Sequence, residues 1–182
     1  MYGLDDSDMK IVGKAAPALD ESDAEARLYS HEHENGNLEK AHDIGKLFAT
    51  ALLDENGFAY EKNVASDFDA RNRSILFAFT ADRVLDTFMP NHIIARSAQN
   101  EFFDEIRCRN IGLYESISRS GAFSMYLLCR RSGDGRYVGI GKVYAGVIRR
   151  PDSESAAAEG EELYHKYFEY CIEHIKNIEF AF

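Results

Sequence analysis

Apolar residues recur at helical spacing in three long stretches of the chain, residues 38–53, 92–107 and 155–178. Side chains that repeat every three or four positions fall on one face of a helix, and that face is usually buried. The clearest stripe residues are Ala41, Ile44, Leu47, Phe48, Ala51, Leu52, Ile94, Ala98, Phe102, Ile106, Tyr164, Tyr167, Phe168, Cys171, Ile175 and Ile178. Asn37 is a favourable N-cap for the first helix, and Asn56-Gly57 is a favourable stop. The pattern therefore predicts three long helices.

Shorter apolar runs between these helices have the alternation that is typical of strands. Residues 74–80, Ser-Ile-Leu-Phe-Ala-Phe-Thr, predict a strand with Ile75, Phe77 and Phe79 on one face. Thr80 would then cap a short helix over residues 81–89. A weaker strand is predicted at residues 58–63, and residues 66–73 are interpreted as a polar connection.

Residues 121–131 and 136–149 predict two further strands, joined by Ser132-Gly133-Asp134-Gly135. Asp-Gly between two strand-like runs is a strong hairpin signal. A loop of even length would align the apolar residues of both strands on one face, and a slip of one residue would lose that alignment. We therefore favour the even loop.

These elements predict an α+β fold, in which an antiparallel sheet of three or four strands is covered by long N- and C-terminal helices. Residues 38–182 would form this single domain. Residues 1–37 differ from it, with nine acidic side chains, three basic ones and few large apolar residues. That composition buries too little surface to order itself alone. We expect an acidic N-terminal arm that docks on the domain or on another subunit, with strand tendency at residues 9–12 and helical tendency at residues 22–29.

Composition limits the class of protein. The chain has 182 residues, 45% of them hydrophobic, and a formal net charge of −10. We expect no membrane span, because no run approaches the roughly 20 apolar residues that one requires. The first residues lack the basic and apolar regions of a secretory signal. Cys108, Cys129 and Cys171 form no CxxC pair, so we expect reduced thiols and a cytoplasmic protein.

One segment reverses the charge of the rest. Residues 107–150 hold nine basic side chains and only two acidic ones, Glu115 and Asp134. The basic residues are Arg107, Arg109, Arg119, Arg130, Arg131, Arg136, Lys142, Arg149 and Arg150. Net acidity argues against nucleic-acid binding, since that affinity comes from basic groups that neutralise phosphates. We expect carboxylates of the same chain or of its copies to neutralise most of this segment.

Sequence motifs give no catalytic residue, no metal site and no cofactor. Two Glu-x-x-His pairs, Glu39/His42 and Glu162/His165, lie away from the apolar stripes and should face water. The residues His31-Glu32-His33-Glu34 suit a divalent ion only weakly, because a loose arm offers no rigid surroundings. Asp67-x-Asp69 lacks the glycine and the final glutamate of a calcium loop.

Gly139-x-Gly141 meets neither the phosphate-loop nor the dinucleotide spacing. Glycines within a strand usually mark the close approach of another backbone, which is the favoured interpretation here. The alternative is a ligand at that face. The candidate ligand-binding residues are Arg130, Arg136, Tyr126, Tyr137, Gly139, Gly141 and Lys142.

Three functional hypotheses follow. The first is a non-enzymatic binding or regulatory module that self-associates as a homo-oligomer through the acidic arm, the sheet face and the basic hairpin. The second is an enzyme or sensor for a small anionic metabolite that bears phosphate or carboxylate, since arginine captures both. The third, and least favoured, is a nucleic-acid-binding module.

Overall fold

The computed structural model describes residues 21–54, 57–59 and 67–181. Within these ranges the chain is mostly helical. The helices are α1 (Glu21–Glu34), α2 (Asn37–Leu53), α3 (Asp67–Phe88), α4 (His92–Arg109), α5 (Ile111–Arg119), α6 (Gly121–Leu127), α7 (Ile140–Val147) and α8 (Glu154–Lys176). The strands are β1 (Arg130–Arg131) and β2 (Tyr137–Val138), which pair antiparallel after α6.

The three long helices predicted from the apolar stripes are confirmed as α2, α4 and α8. Asn91 and Ser153 cap the last two, because their side chains accept hydrogen bonds from the first free N–H groups of each helix. Asn37 does not cap α2 as predicted. Gly36 holds that position in the left-handed conformation, and Asn37 is the first helical residue.

The prediction of a strand at residues 74–80 is wrong, because this run forms the middle of helix α3. Residues 75–82 are buried on every side of that helix, which packs against α4, α5, α6, α7 and α8. An apolar run that is buried all round has no periodicity to distinguish a helix from a strand. Thr80 follows the helical pattern, since its hydroxyl donates to Leu76 O at 2.8 Å instead of starting a new helix.

The predicted sheet of three or four strands is also wrong, since the described residues form only the two-residue strands β1 and β2. Residues 121–127 are helical, and Gly139, with a φ of 87°, ends β2 and begins α7. The hairpin itself is confirmed, but its loop is odd in length, with Arg130 opposite Val138 and Arg131 opposite Tyr137. Gly135 takes a φ of 86° within residues 132–136, the five residues that join β1 to β2, and the expectation of an even loop missed this length.

Two close helix crossings position the hairpin and the core. Gly141 of α7 lies against the α8 backbone, so a Cβ there would overlap Ala157 O and lie 2.9 Å from Glu161 N. Gly45 of α2 is also close to its neighbour, since a Cβ there would lie 2.5 Å from Ala98 O of α4. The predicted close approach of another backbone at Gly141 is therefore present, but it joins two helices and not two strands.

Helix α1 docks through one buried carboxylate. Glu32 accepts hydrogen bonds from the side chains of Asn37, at 2.5 Å, and Asn91, at 2.8 Å. Asn37 also holds the C-terminal tail, because its amide donates to Ala181 O at 2.7 Å and accepts from Ala181 N at 2.9 Å. Residues 21–34 of the predicted arm are thus a helix fixed on α2 and α4. The strand tendency at residues 9–12, and most of the weak strand at 58–63, fall outside the described ranges.

No helix in the described part of the chain is both long and apolar enough to cross a membrane.

Candidate interaction surface

The β-hairpin is fixed to the helical body by aromatic and polar contacts. The N–H of Tyr137 donates to the hydroxyl of Tyr164 at 2.8 Å, and the two rings of Tyr137 and Phe79 lie 5.3 Å apart. The guanidinium of Arg136 lies 5.0 Å above the ring of Phe168. Burial raises the pKa of Tyr164 to about 12, so its hydroxyl keeps its proton at neutral pH. The hairpin is therefore attached to α3 and α8.

Four large apolar side chains beside this hairpin face solvent. Leu128, which follows α6, is 86% exposed, and Met125, Leu127 and Val138 are 44%, 46% and 49% exposed. Arg130 is exposed and lies directly opposite Val138 in the hairpin. We name these five residues the α6–hairpin surface. Clustered exposed apolar side chains, unlike isolated ones, mark interaction sites.

Most of the basic segment is neutralised by carboxylates of the same chain. Five arginines form ion pairs, which are Arg107 with Asp104, Arg109 with Asp54, Arg119 with Glu115, Arg136 with Asp134 and Glu169, and Arg150 with Asp69. Among these pairs none involves α1, whose Glu25 instead lies 3.4 Å from His92.

The remaining basic side chains lack a carboxylate partner among the described residues. Arg131 donates to the hydroxyl of Thr87 at 2.7 Å, and Arg149 lies over the ring of Phe68. Arg130 and Lys142 are exposed to solvent. Positive charge therefore persists at the α6–hairpin surface, where Arg130 lies opposite the exposed Val138.

The residues predicted to bind a ligand are divided between the interior and the surface. Tyr126 and Gly141 are buried, Tyr137 is nearly so, and Gly139 begins α7. Arg136 is held by Glu169 and Phe168, while Arg130 and Lys142 face solvent. Sequence reasoning missed Leu127 and Leu128, which it assigned to a strand. The available signal was an apolar doublet directly before the hairpin.

Three tyrosine hydroxyls are buried in the core. Desolvation raises the pKa of Tyr126, Tyr144 and Tyr167 above the ordinary value, and Tyr144 lies beside Arg73. Cys171 is fully buried and its thiol pKa is likewise raised by desolvation. These groups stay protonated at neutral pH, so none of them is an activated nucleophile or base.

The two Glu-x-x-His pairs lie at the surface, with Glu39, His42 and Glu162 exposed and His165 partly so. Of the four residues at 31–34, Glu32 is buried against Asn37 and the other three are exposed. In the ranges that the structure covers, no group of three or more His, Cys, Asp or Glu side chains is placed to hold a metal ion.

Asp82 is a buried carboxylate on α3. It accepts hydrogen bonds from Gln99 Nε2 and Arg83 Nε, both at 2.8 Å. Desolvation nevertheless outweighs the attraction of Arg83 and raises the pKa of Asp82 above its ordinary value of 3.8. The native state consequently holds this proton to a higher pH than the unfolded chain does.

We expect Asp82→Asn to flatten the pH dependence of stability. The raised pKa of Asp82 contributes to the free energy of unfolding. This contribution is complete below about pH 4 and is lost as the pH rises through the pKa of Asp82 in the native state. The free energy of unfolding of the wild type should therefore fall, relative to that of Asp82→Asn, as pH rises above about 4. Urea unfolding between pH 3 and pH 7 measures it, and a carboxyl-carbon NMR titration reports the Asp82 pKa directly. A constant difference between the two proteins would contradict the expectation.

The chain matches no protein-family model, and no curated protein or solved structure is significantly similar to it.

Proposed function

We propose that the protein is a non-enzymatic binding module that self-associates. In this proposal the α6–hairpin surface of one copy binds the acidic N-terminal segment, residues 1–20, of a second copy. The observation that supports it most directly is Leu128, an apolar side chain that is 86% exposed and lies two residues before Arg130 in the chain. Leaving such a patch in water is unfavourable, and covering it gains about 25 cal/mol for each Å² buried.

The chemistry of residues 1–20 is complementary to this surface. The segment carries four acidic side chains against two basic ones, together with several large apolar residues. The acidic residues are Asp5, Asp6, Asp8 and Asp20, and the large apolar ones are Met1, Tyr2, Leu4, Met9, Ile11, Val12 and Leu19. Apolar side chains would cover Leu127 and Leu128, and a carboxylate would pair with Arg130. An extended chain of this length reaches roughly 60 Å, enough to span two adjacent copies.

The surface favours a protein segment over a small anion. Arg136, which a phosphate would need, already pairs with Glu169 and Asp134 and lies over Phe168. Arg130 and Lys142 are exposed, and Arg130 lies opposite the exposed apolar side chain of Val138. Anion sites gather several cationic groups around one point, whereas a mixed apolar and basic patch suits a peptide.

Sedimentation velocity over about a hundredfold range of protein concentration tests the proposal. We expect the wild type to associate, and Leu128→Ser, Arg130→Glu and deletion of residues 1–20 each to weaken association by about tenfold or more. The matched controls are Ile111→Ser, which changes another exposed apolar residue, and Arg119→Glu, which reverses another exposed charge. Both controls should associate like the wild type.

Mixing two variants that do not self-associate shows whether residues 1–20 are what binds the α6–hairpin surface. The deletion variant retains the α6–hairpin surface, and Leu128→Ser retains residues 1–20. If one copy's segment binds the other copy's surface, the two variants should associate with each other although neither self-associates. Association that needs Leu128 but not residues 1–20 would mean that two surfaces pack together. A wild type that stays monomeric throughout would refute self-association.

A further inference from the structure

A separate cavity of about 430 Å³ lies between α4, α5 and α6. Its apolar walls are the rings of Phe103, Tyr114 and Phe123, with the side chain of Ile117 between them. Two walls are supported from behind, since Phe103 packs on Phe102 at 5.0 Å and Phe123 on Phe79 at 5.4 Å, measured between ring centroids. We name this space the α4–α6 cavity, and its volume is that of small-molecule sites.

Polar groups line the rest of the cavity. Asn100 and Asp104 come from α4, and Ser118, Ser120 and Ser124 come from the end of α5 and the start of α6. The hydroxyl oxygen of Ser120 is buried and has no hydrogen-bond partner within the described structure. Buried hydroxyls are nearly always bonded, so this oxygen lacks the partner that such a group usually has.

The negative charge of the cavity lining favours a cationic ligand. Asp104 is the one charged residue among the side chains that border the cavity in the described chain. Its Oδ1 lies 2.9 Å from Nη2 of Arg107, a guanidinium that is not part of the cavity lining. A carboxylate beside aromatic rings attracts cations and repels anions.

We propose that the α4–α6 cavity binds a small aromatic amine. Its planar body would lie among the rings of Phe103, Tyr114 and Phe123, and its ammonium would donate to Asp104 and Asn100. The serine hydroxyls would hydrogen-bond any polar group on the body. This inference is independent of self-association, because it uses none of the five residues of the α6–hairpin surface.

Three related probes test the ligand class by isothermal titration calorimetry and saturation-transfer NMR. Tryptamine carries the ammonium, indole is the body alone, and indole-3-acetate carries a carboxylate instead. Tryptamine should bind with a Kd of about 1 mM or tighter, the range for a molecule of its size. Indole-3-acetate should bind at least about fivefold more weakly, because Asp104 repels it.

Two variants locate the site. Asp104→Asn should weaken tryptamine severalfold and leave indole unchanged, while Glu115→Gln, a carboxylate outside the cavity, should change neither. Ser118→Trp should fill the cavity and abolish binding of all three probes, and Ser30→Trp, at an exposed position of α1, should bind like the wild type. Absence of tryptamine binding at several times the expected Kd would overturn the inference. So would equal affinity for the amine and the acid, or binding that persists in Ser118→Trp.

Discussion

Replacing Gly141 with alanine should destabilise the protein by about 3 kcal/mol or more. The added methyl would overlap Ala157 O and approach Glu161 N of α8. Both neighbours are backbone atoms of a long helix, so they cannot rotate away as a side chain does. The Gly141 N–H also donates to Glu161 Oε2 at 2.9 Å, a bond that any separation of α7 from α8 would break.

Gly146 provides the matched control for this substitution. It lies on the same helix, α7, where a Cβ would meet no atom within 4 Å. Gly146→Ala should therefore leave stability unchanged or raise it by up to about 1 kcal/mol, the difference in helix propensity. Urea unfolding followed by circular dichroism measures both variants. Equal stability of Gly141→Ala and the wild type would mean that the two helices do not cross as described.

Replacing Asn37 with alanine should cost about 3 kcal/mol of unfolding free energy. The side chain is fully buried and serves both Glu32 and the backbone of Ala181. Alanine would leave the buried Glu32 carboxylate with fewer donors and the tail without its anchor. A buried polar group that loses its partner costs more than the bond itself contributed.

The control for Asn37 is Asn35, two positions earlier, whose amide contacts the exposed ring of His31. Asn35→Ala should change stability by less than about 0.5 kcal/mol. A truncation after Ile178 completes a double-mutant cycle with Asn37→Ala. Because the two changes remove shared hydrogen bonds, their combined cost should be smaller than the sum of the separate costs. Strict additivity would show that the tail does not depend on Asn37.

The helices that were predicted correctly from the sequence are those with one solvent-exposed face. Ile44 and Phe48 of α2 are buried while Asp43 and Lys46 are exposed, so the apolar stripe was visible in the sequence. Helix α8 shows the same contrast around Tyr167. A helix that has one face on the core and the other in water shows both faces in its sequence, as an apolar stripe and a polar one.

The elements that were misassigned lack such a boundary. Residues 75–82 of α3 are surrounded by other helices, and their β-branched and aromatic side chains suited a strand equally well. Residues 140–147 of α7 contain a tyrosine, two valines and two glycines that resemble a strand with a bulge. Packing against α8 stabilises these residues as a helix, and their local sequence does not indicate that conformation.

The candidate surface was partly foreseeable. The segment of reversed charge contains part of the candidate surface, and pairs such as Asp104–Arg107 and Glu115–Arg119 follow from helical spacing alone. Pairs between distant segments, such as Arg136 with Glu169, depend on the fold. The exposure of Leu128 depends on where α6 ends, and boundaries are what sequence patterns define least well.

The central position of α3 has a consequence for biosynthesis. Residues 75–81 of this helix are apolar except for Thr80 and are buried, yet α8, one of the main covers of α3, begins only at Glu154. The apolar segment of α3 therefore leaves the ribosome well before α8, the helix that covers it, has been synthesised. Nascent chains with such uncovered surface aggregate readily and are bound by chaperones. Expression at low temperature or with added holdase should consequently raise the yield of native protein.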